Sequence, residues 1–117
     1  MAGFEVMRGD NGAVSALRLK GFLDAHTASD LERAIQKLLD EKRFRIIVNF
    51  KELTYISSAG LGVFMGFIEE VRSNGGDIKL TSMNPKIFRV FDLLGFPTLY
   101  EIRDEENQAL QSFTNQK

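Results

Sequence analysis

The chain has 117 residues, 44% hydrophobic and 26% charged, which suits one domain with one core and excludes disorder as the dominant state. A formal net charge of −1 leaves no large basic surface for nucleic acid or an anionic membrane, and no apolar run approaches a membrane span. Cysteine is absent, which excludes disulfides and thiolate catalysis; with a charged N-terminal stretch lacking a signal-peptide core, this implies a cytoplasmic protein.

Phe4–Met7 and Ala13–Leu19 read as two short strands, joined by the turn signal Asp10-Asn11-Gly12. Thr27 offers an N-cap hydroxyl with Asp30 three residues on, and Ala28, Leu31, Ile35, Leu38 and Leu39 follow at helical spacing. Phe44–Phe50 is almost continuously apolar and β-branched, the pattern of a central strand covered on both faces. Leu61, Phe64, Met65, Ile68 and Val71 form the stripe of a helix beginning near Ala59 and stopped by Ser73-Asn74-Gly75-Gly76. Ile78–Leu80 returns as a short alternating strand, so strand, helix and strand imply a right-handed crossover. Asn84-Pro85 starts another helix, with Ile87, Val90, Phe91 and Leu94 as its stripe and Gly95 as its stop. Leu99–Ile102 reads as a last strand, and Asp104 as the cap of a terminal helix anchored by Leu110 and Phe113. The expected architecture is one α/β domain over residues 1–117, a mixed sheet of four to five strands with about four packed helices.

The stretch YISSAGLG places Ser57 and Ser58 where the chain turns from the central strand into a helix. One hydroxyl there would cap the helix, with Gly60 and Gly62 allowing close packing. The same N-terminus, carrying about half a positive charge and unpaired N–H groups, would also accommodate a phosphate on a serine. Catalysis by the serine needs a base, for which only His26 is available, and AGLG lacks the serine between glycines of a hydrolase elbow. With one histidine, no cysteine and no phosphate-cradling or dinucleotide glycine motif, neither a metal nor a cofactor is expected. Asp24 reads as a turn or cap residue, or as a charge beside the serines. Gly62 and Gly66 share a helix face flanked by Val63 and Phe67, placed off the main stripe, which suits close approach by a partner or by a neighbouring helix.

Taken together, Gly21–Thr27, Leu53–Val63 and Phe88–Gly95 resemble a STAS domain of the bacterial anti-sigma factor antagonist type, over essentially the whole chain. The resemblance implies a non-enzymatic switch. In its unphosphorylated form such a protein binds an anti-sigma factor that is also a serine kinase of the histidine-kinase-like ATPase type, freeing a sigma factor. Phosphorylation of one serine reverses this, and a PP2C-type phosphatase restores the binding form. The family motif is Asp-Ser-Ser/Thr-Gly-Leu-Gly, which makes Ser58 the phosphoacceptor here. Ser57 then stands in the aspartate position as a second candidate acceptor, and Ala59 in that of the second hydroxyl. The implied partner surface comprises Asp24, Ser57, Ala59, Gly60, Gly62, Val63, Gly66 and Phe67. The alternative is a constitutive STAS scaffold, such as an accessory subunit of a lipid-transporting ABC system.

Overall fold

The computed structural model describes residues 3–115, so the extremes of the expected 1–117 domain lie outside the described residues. The chain opens with an antiparallel hairpin of β1 (Phe4–Asn11) and β2 (Val14–Leu23). Asn11 pairs with Val14, so Asp10 and Asn11 belong to the strand and the turn is Gly12-Ala13, with Gly12 at φ 62°. Both strands run further than the sequence predicts. Gly21 (φ 98°) allows the chain to pass Gly3, whose carbonyl oxygen would lie 2.2 Å from an added Cβ.

Helix α1 (Ala28–Asp40) then crosses to β3 (Arg45–Ile56), α2 (Ser58–Ser73) to β4 (Asp77–Thr81), and α3 (Pro85–Leu93) leads through a short 3₁₀ turn to β5 (Ile102–Arg103) and α4 (Glu106–Thr114). The sheet order is β1-β2-β3-β4-β5, with β2 to β5 parallel and β3 central as expected. On one face α1, α2 and α3 enclose the main core, which contains Leu17, Leu19, Leu31, Ile35, Val48, Phe50, Phe64 and Phe91. On the other, α4 covers Val14, Ala16 and Ile47 with Ala109 and Phe113.

Several boundaries and faces differ from the sequence reading. β4 is buried along most of its length rather than alternating, because helices cover both of its faces. Met65 and Leu94 leave their stripes for solvent. The strand expected at Leu99–Ile102 shrinks to Ile102–Arg103, since Phe96–Thr98 coils and Tyr100 turns inward to stack on Phe96. Glu105, not Asp104, caps α4, its N–H donating to Gln108 Oε1 at 2.9 Å. The Asn84 cap holds, its Oδ1 accepting from Ile87 N–H at 2.8 Å with Pro85 at the first helical position.

The glycines of α2 divide into two kinds. A Cβ on Gly60 would lie 2.6 Å from Leu23 Cγ and 3.2 Å from Ile56 Cγ1, so this glycine lets α2 sit directly on the ends of β2 and β3. Gly62 and Gly66 meet no atom within 4 Å, which removes packing inside the domain as their reason. Gly60→Ala should therefore destabilise the fold by about 1–3 kcal/mol through overpacking. Gly62→Ala and Gly66→Ala should each stabilise it by up to about 1 kcal/mol through helix propensity, as urea unfolding would measure.

Beneath α4 lies a buried cation. Lys79 is 1% exposed, donates to Glu101 Oε1 at 2.8 Å and Ser112 Oγ at 3.1 Å, and sits 4.5 Å from the Phe113 ring centre. Desolvation pushes the Glu101 carboxyl up, but hydrogen bonds from Lys79, Ser112 and Arg103 outweigh it and hold the pKa below its ordinary value. The resulting stability is fully present above about pH 4.5 and is lost as pH falls through the lower, folded value. Glu101→Ala should cost about 3 kcal/mol by stranding the lysine charge, whereas Lys79→Met should cost far less. Acid titration followed by circular dichroism should also show a shallower acid limb for Glu101→Gln than for the parent.

Candidate functional site

Because β2 and β3 run parallel, their carboxyl ends emerge side by side. Phe22 registers with Tyr55 and Leu23 with Ile56, and Ser57 N–H donates to the Leu23 carbonyl at 2.9 Å. The turn after β2 and the start of α2 thus meet at one end of the sheet.

Asp24 builds the first of these segments. Its Oδ1 accepts from His26 N–H at 2.9 Å and Thr27 N–H at 3.1 Å, which folds the chain into an Asx-type turn. The Thr27 hydroxyl accepts from Asp24 N–H at 2.9 Å and donates to the Phe22 carbonyl at 2.8 Å. Thr27 is the N-cap residue of α1, but its side chain makes no cap bond to the helix, contrary to the sequence reading. Desolvation raises the Asp24 pKa, yet the bonds from His26 and Thr27 prevail and lower it, so the carboxylate is ionised at neutral pH. His26 takes part through its backbone, and no hydrogen bond joins it to Ser58 among the described residues.

Ser57 and Ser58 occupy contrasting positions. Ser57, extended at φ −105° and ψ 174°, is the N-cap of α2 but makes no side-chain cap bond, and its Oγ is buried without a hydrogen-bond partner among the described residues. Ser58 is the first helical residue and is exposed, as is Ala59. Leu61 N–H reaches the Ser57 carbonyl at 3.1 Å, leaving the amides of Ser58, Ala59 and Gly60 without an intrahelical acceptor. The first turn carries no acidic side chain, so nothing on α2 itself offsets its partial positive charge. An exposed hydroxyl beside such a turn can carry a phosphoryl group without unfolding the helix.

Further along α2, Gly62 and Gly66 are exposed, with open space where a Cβ would stand. Val63 and Phe67 do not lie off the core: Val63 is buried in it and Phe67 is half-buried against it, because α2 packs against α1 as well as on β3 and β4. The structure also exposes a pair that sequence reasoning missed. Phe22 (54% exposed) and Tyr55 (47%) lie with ring centres 6.2 Å apart on the sheet face opposite α2. A strand extended past Phe50 was the missing signal, since only pairing makes these two residues neighbours.

Residues 6–109 match the STAS domain family. The chain is 30% identical to the anti-sigma F factor antagonist of Paenibacillus polymyxa over 98 residues, spanning 83% of this chain and 84% of that protein. In structure it resembles an anti-sigma factor antagonist from Mycobacterium paratuberculosis, with TM-score 0.85, 20% identity and coverage of 93% and 92% of the two chains. It also resembles the phosphorylated form of the Bacillus cell fate determinant SpoIIAA, with TM-score 0.72, 23% identity and coverage of 94% and 98%. The family match, spanning the sheet and the start of α4 that closes it, shows that this chain belongs to the STAS domain family.

Proposed function

We propose that this protein is an anti-sigma factor antagonist whose docking to an anti-sigma factor, a serine kinase of the histidine-kinase-like ATPase type, is switched off by phosphorylation of Ser58. The observation that carries the reading is the exposed Ser58 hydroxyl at the first position of an α2 turn with no side-chain cap and no acid. The curated antagonist relative and the likeness to a phosphorylated antagonist support it. Ser58 is the acceptor rather than Ser57, whose buried Oγ offers a kinase no surface to attack.

The physics of the switch is local. Transfer of a phosphoryl group to Ser58 Oγ adds about −1.5 to −2 charges at the sheet end where ionised Asp24 already stands. Within the domain the positive helix terminus offsets that charge. At a docked interface the same group must lose its hydration, which opposes binding. Asp24, Ser58, Ala59, Gly62 and Gly66 form the docking surface, supported from beneath by Gly60, Val63 and Phe67 with Ser57. The chain is the substrate of this reaction, not its catalyst, and a PP2C-type phosphatase resets it in the cytoplasm.

Phosphopeptide mapping of protein from native cells, with phosphatases inhibited, should find phosphate on Ser58 and none in Ser58→Ala. Affinity capture with Ser58→Ala should recover an ATPase of the kinase type; recovery of transporter subunits with bare Ser58 would instead select a constitutive scaffold. By calorimetry with the purified kinase, Ser58→Ala should bind as the parent does and Ser58→Glu at least about tenfold more weakly, roughly 1.4 kcal/mol. Ser58→Glu should melt no lower than the parent, because an acid at a helix start is stabilising by about 0.3–1 kcal/mol.

A further inference from the structure

We propose that the Phe22–Tyr55 pair is the apolar anchor of the partner interface, receiving an apolar side chain of the anti-sigma partner; this rests on the antagonist reading above. The pair is held on rigid backbone. Phe22 and Tyr55 are in register on adjacent parallel strands, and Thr54 Oγ1 donates to the Gly21 carbonyl at 3.2 Å between them. Their rings tilt at 48° across 6.2 Å, a preformed apolar surface that loses little conformational freedom on binding.

The domain itself leaves this end of the sheet bare. On the same face α4 packs on Val14, Ala16 and Ile47, and its cover ends where Glu106 accepts from Arg18 at 2.8 Å and Asn49 at 2.9 Å. Lys20 and Glu52, exposed and in register with each other, lie between that latch and the aromatic pair. An apolar centre bordered by charged residues is the anatomy of a protein interface.

Area identifies the occupant. Two half-exposed rings offer on the order of 200 Å², against roughly 800 Å² per partner in a stable complex. Whatever covers the rings must therefore extend beyond them. Towards α4 it meets the charged row; in the other direction the chain dips through buried Leu23 and Ile56, linked by the Ser57 to Leu23 hydrogen bond, and re-emerges at half-exposed Asp24 and Ser57 and at exposed Ser58 and Ala59. A partner that reads Ser58 is thus the one placed to cover the rings. The division of labour is that the aromatic pair supplies affinity and the serine supplies the switch.

The test uses the full chain and the purified kinase recovered by affinity capture. Phe22→Ser and Tyr55→Ser should each weaken binding about tenfold or more, chiefly through faster dissociation. Leu93→Ser, on α3 and 78% exposed, should bind within about twofold of the parent. Melting curves of all three should overlay the parent's. As an independent readout, p-benzoylphenylalanine placed at position 22 should crosslink to the kinase on illumination, and should not when Ser58 carries phosphate. If both serine variants bind within about twofold while Ser58→Glu weakens, the anchor falls and the antagonist reading stands. If the parent does not bind the kinase, both fall. An equal loss in Leu93→Ser, or no crosslink from position 22, would also overturn the anchor.

Discussion

The parallel pairing of β2 with β3 is the constraint on which the rest of this molecule depends. Parallel neighbours need a crossover, which α1 supplies, and they deliver their carboxyl ends to the same edge of the sheet. The Asx turn at Asp24 and the start of α2 at Ser57 are therefore brought together by topology, with one backbone hydrogen bond between Ser57 and Leu23 fixing their distance. Gly60 completes the arrangement, since any side chain there would lift α2 off Leu23 and Ile56.

Two irregularities in that pairing shape the surface. The register shifts between Arg18 and Lys20 and again between Gly21 and Phe22, so β3 uses two more residues than β2 over the same distance. Each shift acts as a bulge, changing which residues of β3 face inward. Phe50, Leu53 and Ile56 all reach the core, three residues apart instead of two, while Tyr55 arrives on the outer face beside Phe22. The same shifts thus create a continuous core and an exposed aromatic pair.

Charge is distributed just as unevenly. Beneath α4, charged side chains are tied: Lys79 to Glu101 and Arg18 to Glu106, where the Arg18 hydrogen bond outweighs desolvation and lowers the Glu106 pKa. These pairs hold α4 in place and end its cover at Asn49. At the carboxyl ends of β2 and β3 the start of α2 has no acid of its own, and its cap hydroxyl is turned inward. A stable, closed half and an electrostatically unfinished edge coexist in one small domain, which is the arrangement a charge-operated switch requires.

The sequence by itself determined the elements with strong periodicity: the buried stripe of α1, the central strand through Phe50, the Asn84-Pro85 cap and the serine motif at a helix start. Local patterns of this kind report the face a segment buries, and Ala28, Leu31, Ile35, Leu38 and Leu39 are buried as read. Residues 51–56 escaped because two bulges replace the alternation of a strand with a period of three, which resembles a loop in one dimension. The same limit applies to Ser57 and Thr27: composition predicts cap hydroxyls, but what each hydroxyl bonds to depends on neighbours distant in sequence or on the local turn. Likewise Val63 and Phe67 were drawn into the core because α2 packs against α1 as well as on the sheet. Tertiary structure alone decided that Ser58 is exposed while the Ser57 hydroxyl is buried, and that Phe22 and Tyr55 meet, because both outcomes follow from the register of two strands separated by a whole helix.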